Sequence, residues 1–181
     1  HDIMIQLTLA MKMLINVKKV TVEYDKKMLE IEEAIDQTSE FLSRLQSTSN
    51  KEQNKHICIL HTLDHLRRLL KVLREQQKVE AIHLQDKLIM QWHDTLDEIS
   101  QALDDEEKLN EISTVLERTS QEMAKERRTK RIEYFERSVT SETELEVAVS
   151  KVEALLWIDR LIHHYWRATA HMAEFQALNE E

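Results

Sequence analysis

Residues 157–171 read WIDRLIHHYWRATAH, three histidines, two arginines, an aspartate and three large aromatics within one short segment. At about 100° per residue, Ile158, Leu161, Ile162, Tyr165, Ala168, Thr169 and Met172 fall on a single stripe. That spacing predicts a helix whose apolar side faces a bundle interior. Asp159, His163, Arg167, Ala170 and Glu174 fall near the opposite side, with Arg160 and His171 beside them, so the polar groups are expected to point outward or into a groove.

The same periodicity runs through almost the whole chain of 181 residues, which contains no glycine and no proline. Turns that require a positive or a fixed φ are therefore missing, and strong helix formers dominate. An all-α fold follows. Two capping boxes mark helix starts, because Ser-x-x-Glu spacing lets side chain and backbone amides satisfy each other: Ser49 with Glu52, and Ser141 with Glu144. Weaker breaks fall in the β-branched cluster from Val20 to Asp25, around Gln76 to Glu80, and at the acidic pair Asp104-Asp105. Six helices are predicted, over 2–20, 24–47, 50–77, 79–103, 105–138 and 141–178. They divide into a first three-helix bundle, 1–78, and a second, 79–181. LDHLRRL at 63–69 and IDRLIHH at 158–164 echo each other at the third helix of each half.

With 34 acids against 25 bases and a formal charge of −9, the chain cannot present the broad positive surface that nucleic-acid binding needs. The single cysteine, Cys58, excludes an internal disulfide and reads as a small apolar filler. The longest apolar run is five residues, Ala154 to Ile158, far short of the roughly 20 that cross a bilayer. The chain begins at His1, which reads as a cut point in a longer protein.

Asp159 and His163, at i and i+4, could present a carboxylate and an imidazole to one metal ion, but two ligands do not make a site, and structural ion pairing of Asp159 with Arg160, Arg167 or His163 is the plainer reading. A di-iron carboxylate bundle needs two Glu-x-x-His elements and two more glutamates. Only Glu80-Ala-Ile-His83 fits. Histidine phosphotransfer through His61 or His65 is the alternative function, although neither the acid nor the glycine such motifs carry follows either residue. KERRTKR places Lys125, Arg127, Arg128, Lys130 and Arg131 on one predicted helix, either as a solvated face or as a contact for anionic headgroups, a phosphate or an acidic partner loop.

Three stretches in order, FLSRLQSTSNKEQNKHICILHTLDHLRRL (41–69), EMAKERRTKRIEYFER (122–137) and VEALLWIDRLIHHYWRATAHM (152–172), resemble the C-terminal cytoplasmic domain of bacterial sodium/phosphate cotransporters, which is similar to the phosphate-uptake regulator PhoU. The resemblance implies a PhoU-like fold of two duplicated three-helix bundles, a membrane-transporter portion of the same protein as partner, contact with a second copy, and a place on the cytoplasmic side of the cell membrane. It implies a non-catalytic role that modulates phosphate uptake through helix-face contacts. PhoU proteins carry an acid-x-x-x-Asp motif on each third helix, which in several members holds metal clusters. Here those positions read Asp64-x-x-x-Arg68 and Asp159-x-x-x-His163. The resemblance therefore carries over the fold and a regulatory role, with Asp64, Arg68, Asp159, Arg160, His163 and Arg167 as polar contact faces. No cofactor or metal is carried over, and Asp159 and His163 remain only weak metal candidates.

Overall fold

The computed structural model describes residues 1–16, 21–75, 86–103, 108–138 and 142–180. Among them are six helices and no strand: α1 (Asp2–Asn16), α2 (Val22–Ser43), α3 (Asn50–Leu73), α4 (Asp86–Ala102), α5 (Leu109–Arg137) and α6 (Glu142–Glu180). The all-α, six-helix reading of the sequence holds. None of these helices is long and apolar enough to cross a membrane.

Capping chemistry sets the clearest boundaries. Ser49 Oγ accepts the Glu52 amide at 3.2 Å, and the Glu52 carboxylate accepts the amides of Thr48 at 2.6 Å and Ser49 at 3.2 Å. Those bonds hold the Glu52 carboxyl below its ordinary range, the Thr48 amide contributing most. Thr21, inside the β-branched break, caps α2 by accepting the Tyr24 amide at 3.2 Å. The predicted box at Ser141, the acidic pair Asp104-Asp105 and the Glu80 to His83 motif include or consist of residues outside the described ones.

Long-range contacts show how neighbouring helices run. Arg67 pairs with Asp36 and Arg74 with Glu32, so α2 and α3 are antiparallel. Lys12 reaches Asp97 at 2.5 Å and the His1 ring reaches the Leu103 carbonyl, which sets α1 antiparallel to α4. Arg127 pairs with Asp159, and Lys151 lies over the Tyr134 ring, so α5 and α6 form an antiparallel hairpin. The 39-residue α6 lies along both α5 and α3. Its predicted stripe is buried apart from Met172, which is half-buried, with Ile158, Leu161, Ile162, Tyr165, Ala168 and Thr169 all at 2% exposure or less. One continuous core joins that stripe to Leu7 and Met11 of α1, Met28 and Ile31 of α2, Leu66 and Leu69 of α3, Leu96 of α4 and Leu116 of α5.

Candidate functional site in the seam between two helices

Side chains of α3, and of Glu75 just beyond its end, meet those of α6 rung by rung in antiparallel order. Cys58 lies against Glu174, His61 stacks on His171, His65 meets His164, and Glu75 receives Arg160. The middle of this seam collects five of the chain's nine histidines: His61, His65, His163, His164 and His171. Helical spacing explains the convergence. His61 and His65 are one turn apart on α3, and His164 and His171 are two turns apart on α6, so each pair occupies one helix face.

At the centre, Nδ1 of His65 and Nδ1 of His164 are 3.2 Å apart, and both side chains are half-buried. One nitrogen must carry a proton and donate it to the other's lone pair. Partial burial, assisted by the His164 and Arg167 positions, lowers the His65 imidazole to about 4. Burial likewise lowers His164 to about 4, with His163 and Arg68 acting in the same direction. For His163, desolvation and Arg167 outweigh the opposing Asp159 charge, and its value also falls. His65 and His164 therefore stay neutral near pH 7.

Around them the charges are engaged. Asp64 accepts from Arg68 at 2.9 Å within α3, at the surface. Arg160 spans Glu75 with two bonds of 2.9 and 2.5 Å. Arg167 donates to Nε2 of His171 at 3.1 Å, and since a guanidinium can only donate, the His171 proton sits on Nδ1 and points to Glu174 at 2.9 Å. His171 is buried and does not lie on an outer face.

Asp159 also departs from the outward orientation expected of it. Its side chain is only 14% exposed and pairs across the hairpin with Arg127 of α5 at 2.9 Å, in place of the expected Arg160, Arg167 or His163. Among the described residues, no three histidine, cysteine, aspartate or glutamate side chains are grouped to hold a metal ion. Because Arg127 occupies Asp159 and Arg68 occupies Asp64, protein purified without added metal is expected to carry well under one iron or zinc per chain; elemental analysis finding two or more tightly held ions would contradict this.

The basic run divides by environment. Arg127 and Lys130 are half-buried, the latter donating to Glu133 at 2.8 Å, which raises the Lys130 ammonium above its ordinary value. Lys125, Arg128 and Arg131 are exposed. His61 is exposed as well, with its ring 5.0 Å from that of His171. A cavity of about 290 Å³ opens elsewhere, between Ile3, Leu63, Leu66, Leu109, Met172 and Phe175. None of the sequence-predicted site residues lines it.

The pairing of His65 with His164 and the Arg127–Asp159 bridge were not read from the sequence. Periodicity places imidazoles on a face of each helix, but not which faces meet. Comparison with protein-family models, with curated proteins and with solved structures finds no match to this chain.

Proposed function

We propose that this chain is a non-catalytic regulatory domain of a sodium-dependent phosphate transporter, held on the cytoplasmic side of the membrane and acting through helix-face contacts. The transporter class rests on the resemblance of residues 41–69, 122–137 and 152–172. The observation that supports a contact role is the exposed strip on α5 formed by Lys125, Arg128, Arg131 and Ile132. Lys125 and Arg128 are one turn apart, as are Arg128 and Ile132, and Ile132 is 61% exposed beside two arginines. An apolar side chain among cations suits a surface that is both anionic and partly apolar, such as a headgroup layer or an acidic transporter loop. Each cation near such a surface contributes about 1 kcal/mol, screened over roughly 8–10 Å at physiological salt.

Replacing Lys125, Arg128 and Arg131 together by Gln in the full-length transporter is expected to alter the phosphate dependence of sodium-driven uptake. Helicity and thermal stability of the isolated domain should stay nearly unchanged, since none of the three enters an ion pair among the described residues. Unaltered uptake at normal membrane expression would return the strip to a solvated helix face. Arg127→Gln is the contrasting variant. It leaves the Asp159 carboxylate without its partner in a site only 14% exposed, and is expected to cost about 1–3 kcal/mol in urea unfolding.

A further inference from the structure

We infer that the α3–α6 seam is a proton-sensitive latch, in which the facing imidazoles of His65 and His164 hold the two helices together while they share one proton and loosen them when each carries its own. The geometry sets this. With Nδ1 atoms 3.2 Å apart, one N–H···N bond satisfies both rings, whereas two Nδ1–H groups would point at each other with two positive charges in contact.

The surroundings do not absorb a second charge. On the α3 side, the Asp64 carboxylate favours charge on both rings, but it is exposed, already bonded to Arg68, and outweighed by burial of the imidazoles. On the α6 side, His164 is flanked by His163 and Arg160, while Arg167 lies close enough to His65 to act on its charge. His171 completes the stack on His65, with ring centroids 5.8 Å apart, and its own nitrogens are committed to Arg167 and Glu174. From α5, Arg127 pairs with Asp159, the acid whose charge acts on His163 and is outweighed there by burial. Added protons therefore meet cations and occupied acids.

The direction of the pH effect follows from linkage. Unfolded or opened, each imidazole has its ordinary value of 6.5; closed, His65 and His164 are lowered to about 4. The open state binds more protons between these values, so closure is fully favoured above about pH 6.5 and weakens as pH falls toward 4. This window covers mild acidification, where most carboxylates remain ionised.

Two of the chain's three tryptophans lie at the seam, the third, Trp92, being in the core on α4. Trp157 donates from Nε1 to the Val72 carbonyl of α3 at 2.8 Å, and the Trp166 ring lies 5.7 Å from that of His163. The experiment uses the tag-free chain, with urea unfolding followed by tryptophan fluorescence at pH 7 and pH 5, for the native protein, the double variant H65Q/H164Q and the control H61Q. Imidazole titrations by NMR run in parallel. For the native chain and for H61Q, the unfolding equilibrium constant is expected to rise at least about tenfold more between pH 7 and 5 than in the double variant, corresponding to one unit of pKa difference. Two imidazole resonances should titrate well below 6.5 and vanish in the double variant. Equal pH slopes in all three proteins, or ordinary titration of His65 and His164, would overturn the latch. Should the double variant fail to fold, the NMR titration of the native chain decides alone.

Discussion

Leu161→Ala is expected to destabilise the chain by about 2–5 kcal/mol, with Leu66→Ala in the same range but smaller. Leu161 is 1% exposed and sits in the middle of the α6 stripe, where Ile158, Ile162 and Tyr165 flank it along the helix. Truncation there removes transfer energy and leaves a void that neighbouring rotamers fill only in part. Leu66, 3% exposed, faces the 290 Å³ cavity on one side, so its vacated volume merges with space already present. Chemical unfolding in urea measures both. A loss below about 0.5 kcal/mol at either position would mean that the stripe does not carry the core as described.

That stripe was legible because a 3.6-residue repeat needs only the order of apolar residues. Ser49 and Glu52 were legible for a similar reason: the capping box is a local bond pattern, and both halves of it form. Thr21 was missed as a cap because its β-branched neighbours read only as a break, and α2 consequently begins at Val22 instead of residue 24. Helices α2 and α3 end at Ser43 and Leu73, each four residues before the predicted boundary, in stretches without glycine or proline to mark a stop. The site was harder. Asp159 and His171 lie on the predicted polar side of α6, but a helix wedged between two neighbours has less free surface than a helical wheel implies. Arg127 of α5 covers one of these residues, and packing against α3 encloses the other. Such assignments depend on which helix faces meet, and no periodicity within one segment encodes that.

Trp157→Ala is expected to cost about 3–5 kcal/mol, and the reason lies in how α3 ends. A helix leaves its last carbonyls without intrahelical partners, and many helices solve this with a glycine in the left-handed region. This chain has no glycine, and none of its described residues has a positive φ. The Arg74 and Glu75 amides bond the Leu70, Lys71 and Val72 carbonyls without any left-handed residue, and two other helices supply further donors at the end of α3. Tyr24 of α2 donates its hydroxyl to Leu73 O at 2.8 Å, and Trp157 of α6 donates to Val72 O at 2.8 Å. Both donors are at most 2% exposed, and burial raises the Tyr24 hydroxyl well above its ordinary value, so it remains a donor. Tyr24→Phe should therefore cost about 0.5–1.5 kcal/mol for the lost bond, with a further penalty where the freed carbonyl stays buried. Trp157→Phe removes the other donor while keeping an aromatic ring, and should fall between Tyr24→Phe and Trp157→Ala. Because the two carbonyls are adjacent, the double variant Y24F/W157F is expected to depart from additivity by at least about 0.5 kcal/mol. Strict additivity in urea unfolding would show that α2 and α6 grip the end of α3 independently, and a Trp157→Ala cost below about 1 kcal/mol would show that the α3–α6 seam is held elsewhere.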